Sequence, residues 1–174
     1  AYGWCAGLTT RNNTRQVLAG HVPIGGGAPV SVQSMTNTDT RDAQATIAQI
    51  NRLQQAGCEI VRVAVPDPEA ADALGLIRKA VRIPLVADIH FDHKLALASI
   101  EAGVDKLRIN PGNIGSRARV RELATVARDR EIPIRIGVNM GSLPRELVEK
   151  HGRTARAMTE AALGHIGLLE REGF

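Results

Sequence analysis

A short apolar stretch followed by a helix-forming segment occurs five times in succession, and this alternation restricts the possible folds more than any other feature of the chain. The apolar stretches read PVSVQSM, EIVRVAV, PLVADIH, DKLRI and PIRIGVN. The segments after them predict helices over 42–55, 67–79, 92–102, 116–130 and 142–172, the last broken near Gly152. Alternating β-α units with short loops predict a parallel sheet with right-handed crossovers.

A short hairpin is predicted before these units, with Val17–Ala19 and Val22–Ile24 as its strands. A complete (β/α)8 barrel needs roughly 250 residues, so the 174 residues here predict part of a TIM-type barrel of about five units over residues 14–174. Residues 1–13 form a tail with no assignment. A glycine-rich G-x-G-x-x-G turn between a strand and a helix does not occur, which disfavours a dinucleotide fold.

The composition, with 44% hydrophobic and 23% charged residues, is that of a soluble globular protein. The sequence shows neither an apolar run of membrane-spanning length nor a secretory signal. Its two well-separated cysteines, Cys5 and Cys58, suggest a reducing compartment, no disulfide framework and no metal site of their own. We therefore expect a cytoplasmic protein that does not associate with a membrane.

The chain is basic, with a formal net charge of +4, and a basic protein invites a nucleic-acid interpretation. However, aromatic residues make up only 2% of the chain, which leaves few side chains on which bases could stack. The basic residues are also dispersed rather than clustered. Nucleic-acid binding is therefore not favoured, and a phosphorylated small molecule explains the charge at least as well.

Three arginines, Arg62, Arg108 and Arg135, each lie within an apolar strand. A buried strand normally excludes a guanidinium group, because Arg keeps its charge and needs several hydrogen-bond acceptors. A single buried Arg beside an Asp is more often a structural ion pair than a ligand site. Three arginines at equivalent strand positions instead favour an anion-binding site.

Further polar residues share strand faces near the arginines, since residues two or four apart in a strand point to the same side. By this spacing Arg108 lies on the same face as Asn110, Arg135 on the same face as Asn139, and Asp88 on the same face as His90. All lie at the carboxyl ends of their strands, where parallel α/β folds carry their active sites. Asn can orient hydroxyl groups, and Asp88 can hold an arginine or fix the tautomer of His90. A core histidine remains an equal alternative for His90, and no catalytic residue is assigned.

Five motifs resemble the amino-terminal barrel of the 4-hydroxy-3-methylbut-2-en-1-yl diphosphate synthase family. In chain order they read VPIGGGAPVSVQSMTNTDT, GCEIVRVAVP, PLVADIHFD, GVDKLRINPGNIG and IPIRIGVNMGSL. The resemblance runs from about Thr14 to the end of the chain. It implies an oxidoreductase of the methylerythritol phosphate route to isoprenoids, with 2-C-methyl-D-erythritol 2,4-cyclodiphosphate as its substrate.

The resemblance also implies partners and residue roles. Flavodoxin or ferredoxin supplies electrons to a [4Fe-4S] cluster on a separate carboxy-terminal domain, and the family forms homodimers. The three arginines correspond to diphosphate-binding residues, Asn110 and Asn139 to polar substrate contacts, and Asp88 and His90 to the mouth of the pocket.

The chain departs from the family pattern in its length, because it ends where a sixth strand would begin. We expect the cluster domain and a sixth-strand lysine to lie outside this chain, and neither cysteine matches a cluster ligand. This chain alone is therefore expected to lack the redox activity. The alternatives are a non-catalytic phosphate-binding α/β module and, less favoured, a basic RNA-binding domain. The open edge of an incomplete barrel favours part of an enzyme.

Overall fold

All five predicted β-α units are present in the computed structural model, which describes residues 14–90 and 92–174. Five strands form one sheet in chain order, and every neighbouring pair is parallel. They are β3 (Gln33–Met35), β4 (Ile60–Ala64), β5 (Leu85–Ile89), β6 (Lys106–Ile109) and β7 (Ile134–Ile136). The predicted hairpin pairs β1 (Val17–Ala19) with β2 (Val22–Ile24) in antiparallel fashion. This is the topology of part of a TIM-type barrel, as predicted. The tail 1–13, with Cys5, lies outside the described residues.

Helices follow each of the five strands. They are α1 (Ala43–Gln55), α2 (Pro68–Ala80), α3 (His93–Glu101), α4 (Pro111–Ile114), α5 (Arg117–Asp129), α6 (Arg145–His151) and α7 (Ala155–Arg171). Aspartates cap the first three: Asp42, Asp67 and Asp92 accept backbone N–H groups of the first helical turn, which satisfies donors that have no partner within the helix. Within the described residues, no helix is both long and apolar enough to cross a membrane.

The outward face of the sheet packs against the helices and forms the main hydrophobic core. Val61, Leu85, Leu107 and Ile109 are fully buried there. Because helices cover this face, the outward residues of β4 to β7 are aliphatic, as in other α/β folds. This layer places the carboxyl ends of β3 to β7 side by side.

The hairpin packs against the opposite, inward face at the amino-terminal end of the strands. Its Ala19 and Val22 form a small separate apolar cluster with Ile60 of β4 and Val86 of β5. The hairpin therefore covers the lower part of the inward face and leaves the carboxyl-terminal part for polar side chains.

Some element boundaries differ from the prediction. Strand β7 ends at Ile136 rather than Asn139, because the Asn139 side chain accepts the N–H groups of Gly141 and Ser142 and caps a short 3-10 turn (Met140–Ser142). Strand β3 begins at Gln33 rather than Pro29. The segment directly after Asn110 forms one turn of helix, α4.

Candidate functional site

The strand register places the predicted arginines in two adjacent rows across the inward face. Asp88, Arg108 and Arg135 are direct neighbours on β5, β6 and β7. Arg62 lies one row nearer the amino-terminal ends, in line with Val86 and, beyond it, Lys106. The prediction that the three arginines occupy equivalent strand positions therefore holds for Arg108 and Arg135 but is wrong for Arg62. The rows lie two residues apart along each strand, so their side chains share one face.

Asp88 is the centre of the site. Its side chain is 2% exposed, and Arg108 Nη1 donates to its Oδ1 at 3.0 Å. Arg62 Nε lies 3.4 Å from Oδ2. A buried carboxylate is stable when it is paired and hydrogen-bonded, and two guanidinium groups provide this. Because both arginines remain partly exposed, at 25% and 16% of their side-chain surface, they keep donor groups available to a ligand.

His90 and Met35 border the Asp88 cluster. His90 Nε2 lies 3.4 Å from Asp88 Oδ2, at the long limit for a hydrogen bond, and its side chain is more than half exposed. Arg62 Nε donates to Met35 Sδ at 3.1 Å. A cavity of about 310 Å³ opens beside Asp88 and His90, between Ala64 and Leu95. His90 is thus an exposed residue of the cavity rim and not a core histidine.

The two asparagines take part in loop contacts at the carboxyl end. Asn110 is 2% exposed; its Nδ2 donates to Ser142 Oγ at 2.6 Å, and its Oδ1 accepts the Gly112 N–H at 3.2 Å. Asn139 Oδ1 accepts the N–H groups of Gly141 and Ser142, both at 3.0 Å. Asn110 therefore ties the end of β6 to the loop after β7, while the Asn139 oxygen is used within its own turn.

Two basic residues of the rows, Arg135 and Lys106, form no salt bridge within residues 14–90 and 92–174. Arg135 is exposed, and Lys106 is only 8% exposed. Burial lowers the pKa of Lys106, and the nearby positive charge of Arg135 lowers it further. Lys106 was not among the predicted site residues, although it shares the two-residue alternation of Arg108 and Asn110.

The charge balance of this face is strongly positive. The two rows, called the basic rows below, carry one carboxylate, that of Asp88, and four basic side chains, those of Arg62, Lys106, Arg108 and Arg135. Asp88 offsets part of the charge of Arg62 and Arg108, and no acidic side chain of the rows offsets Arg135 and Lys106. An anionic group with several oxygens complements such a surface, because guanidinium groups bind phosphoryl oxygens in a planar, bidentate manner.

A larger groove of about 740 Å³ lies at the other end of the sheet, near Leu18 of the hairpin and Pro133 before β7. Its lining does not include residues of the basic rows. The smaller cavity is lined by Asp88 of the rows, although not by their four basic side chains, and it lies at the carboxyl ends of the strands, where α/β barrels bind their substrates. The candidate site is therefore the rows together with this cavity beside Asp88.

The described residues do not fit an iron-sulfur cluster. Such clusters are held mainly by cysteine thiolates, and Cys58 is the one cysteine within residues 14–90 and 92–174. It is buried, and its Sγ lies 3.0 Å from the Ile60 carbonyl oxygen. In the same part of the chain, no group of three or more His, Cys, Asp or Glu side chains is arranged to hold a metal ion.

The fold and the basic rows define a β/α-barrel domain with a cationic site at the carboxyl ends of its strands. A solved 7,8-dihydropteroate synthase from Vibrio fischeri superposes with a TM-score of 0.64 over 92% of this chain and 63% of that chain. At 12% identity, this likeness concerns the fold alone.

The chain belongs to the GcpE TIM-barrel domain family, whose sequence model matches residues 14–174. A 4-hydroxy-3-methylbut-2-en-1-yl diphosphate synthase (flavodoxin) from Geobacter sulfurreducens is 62% identical over 162 residues, which is 92% of this chain and 46% of the relative. The enzyme of that name from Thermodesulfovibrio yellowstonii is 62% identical over 168 residues, 96% of this chain and 48% of the relative. The family resemblance is thereby confirmed, and the chain spans about half the length of the curated relatives it matches.

Proposed function

We propose that the chain is the substrate-binding barrel part of a 4-hydroxy-3-methylbut-2-en-1-yl diphosphate synthase, which opens 2-C-methyl-D-erythritol 2,4-cyclodiphosphate reductively. Family membership and the names of the relatives support this assignment. The observation that carries it is the pair of basic rows around Asp88. A diphosphate supplies the negative charge and the oxygen acceptors that these rows lack.

Each residue has a separate part in the proposal. Arg62, Arg108 and Arg135 donate to phosphoryl oxygens, and charge-assisted bonds of this kind are stronger than neutral ones. Asp88 keeps the first two guanidinium groups in position before the ligand arrives, which reduces the entropy lost on binding. Asn139, through its Nδ2, and His90 lie nearer the carboxyl ends, and we assign their polar groups to the hydroxyl-bearing part of the substrate. Asn110 is buried with its amide atoms bonded to Ser142 and Gly112, so we assign it the placement of that loop beside the substrate.

The redox part of the reaction belongs to other portions of the enzyme in this proposal. Because the described residues do not fit a [4Fe-4S] cluster, we place its ligands outside them and assign ring opening to a complete enzyme reduced by flavodoxin or ferredoxin. The names of the relatives favour flavodoxin. We further propose a homodimer in the cytoplasm, where the free thiol of Cys58 is compatible with a reducing environment.

Substitution of Arg108 tests the diphosphate site in the full-length enzyme. Charge-assisted contacts lose on the order of 2–5 kcal/mol when one buried partner is truncated, so Arg108→Ala is expected to raise the Michaelis constant for the cyclodiphosphate strongly or to abolish activity. Arg108→Lys is expected to restore binding only in part, because an ammonium group cannot form the planar fork. Steady-state kinetics and equilibrium binding measure both effects.

Arg119→Ala is the matched control, because Arg119 is an exposed arginine on α5 outside the rows. It should leave both kinetics and thermal stability unchanged. If Arg108→Ala instead binds the cyclodiphosphate normally but unfolds more easily, Arg108 serves only a structural ion pair with Asp88 and the proposed site is wrong.

A further inference from the structure

Gly137, directly after β7, is a glycine whose backbone conformation does not explain its identity. Its φ angle lies outside the left-handed region that favours glycine. Its N–H donates to the Ile109 carbonyl at 2.8 Å, which continues the β6–β7 ladder. By backbone geometry alone, other residues could therefore occupy this position.

The space that a side chain would take at Gly137 is filled by the guanidinium group of Arg108. A Cβ atom built on Gly137 would lie 2.6 Å from Arg108 Cζ, far inside the contact distance of two carbon atoms. Gly75 and Gly164, in contrast, have no heavy atom within 4 Å of such a Cβ. The restriction at Gly137 thus comes from one functional side chain.

We infer that Gly137 is a positioning residue for Arg108. Because Gly137 has no side chain, the guanidinium group of Arg108 can occupy the space beside it, where it stays bonded to Asp88 and turned toward the ligand. The inference rests on the proposed function, in which Arg108 binds the diphosphate. It adds a residue from the neighbouring strand that acts through Arg108 and need not touch the substrate.

The effect of a substitution should be local, since an arginine side chain can move without moving the sheet. A methyl group at Gly137 would displace the guanidinium group from Asp88 Oδ1, while Arg62 would still pair with that carboxylate. The sheet ladder at Gly137 uses backbone atoms and should persist. Gly137→Ala is therefore expected to weaken ligand binding while it preserves the fold.

A double-mutant cycle in the full-length enzyme tests this, with equilibrium binding of the cyclodiphosphate and thermal melting as the two measurements. We expect Gly137→Ala to weaken binding at least tenfold, and Gly164→Ala, the open-space control on α7, to leave it unchanged. If Gly137 acts through Arg108, the double variant Gly137→Ala/Arg108→Ala should bind no more weakly than Arg108→Ala alone.

The other possible results of this double-mutant cycle also decide whether Gly137 acts through Arg108. If Gly137→Ala folds poorly, the added Arg108→Ala change should restore melting to that of the Arg108→Ala variant, because it removes the group that the methyl meets. A double variant that stays unfolded, additive binding losses, or normal binding by Gly137→Ala would overturn the inference. Normal binding by Arg108→Ala would instead overturn the proposed function.

Discussion

The two faces of the five-stranded sheet are built from alternate residues of the same strands, yet they differ in almost every physical respect. The outward face, represented by Leu107 and Ile109, is aliphatic and fully buried under helices. The inward face carries Arg62 and Arg108 around the buried Asp88 and keeps part of the surface of the two arginines accessible. Stability is therefore concentrated on one face, which allows the other to hold an excess of positive charge.

The largest loss of stability is expected from a substitution on the outward face, at a residue that lies between two inward basic residues. Leu107 is fully buried and sits between Lys106 and Arg108. Leu107→Ala should lower the free energy of unfolding by about 2–5 kcal/mol, through lost burial and the cavity left behind. Chemical denaturation measures the loss. Leu76→Ala, at an exposed position of α2, is the control and should change stability by less than about 0.5 kcal/mol.

A smaller loss of stability is expected when the carboxylate that balances the positive charges of the inward face is replaced. Asp88→Asn leaves Arg62 and Arg108 without their acidic partner and should cost about 1–3 kcal/mol, because the arginines are partly solvated. Bound cyclodiphosphate should recover part of this stability by supplying negative charge. Denaturation with and without the ligand measures both quantities. Asp129→Asn, which removes an exposed ion pair with Arg128, should have little effect; equal losses in the two variants would contradict the central role of Asp88.

The contrast between the faces also predicts a pH dependence through Lys106, whose pKa is lowered by burial and by Arg135. Between the lowered pKa and the ordinary value of 10.5, the unfolded chain binds a proton that the folded chain does not. Stability from this group must therefore rise with pH across that interval. Lys106→Met should flatten this rise in alkaline denaturation curves.

Lys94→Met, at an exposed position of α3, is the matched control for Lys106 and should leave the slope unchanged. An identical slope in the wild type and in Lys106→Met would show that Lys106 keeps its proton in the folded chain. Bound diphosphate should reduce the slope of the wild type, since a nearby anion favours the charged ammonium group.

Much of this two-faced arrangement could be predicted from the sequence, because strand alternation is a local property. The alternation in "KLRIN" predicts that Arg108 and Asn110 share one face, and the register adds that Arg62 lies on the same face as Asp88 and Arg108. Lys106 follows the same alternation, so its position on this face could also have been predicted from the sequence.

Other features depend on contacts between strands that one sequence does not reveal. Asn139 looked like a continuation of β7, but its side chain caps the turn that follows. Gly137 has no left-handed φ to mark it, and its importance appears only from the position of Arg108 on the neighbouring strand. Such three-dimensional restrictions escape any argument from periodicity.

The smallest predicted effect concerns His165, where α7 meets the carboxyl-end loops. His165 is half-buried, its Nε2 has no hydrogen-bond partner within the described part of the chain, and a Cβ built on Gly112 would lie 3.3 Å from that nitrogen. Burial lowers its pKa below the ordinary value of 6.5.

Below pH 6.5, the unfolded chain therefore takes up a proton on His165 before the folded chain does, and stability must fall as the solution becomes more acidic. His165→Gln should remove this part of the acid sensitivity, because glutamine does not titrate. His21→Gln, at an exposed position of the hairpin turn, should leave it unchanged. Thermal melting between pH 5 and 7.5 measures this acid sensitivity. If the melting temperatures of the wild type and of His165→Gln change with pH in parallel, the protonated imidazole must gain a partner in the folded chain. Burial would then not control the charge of His165.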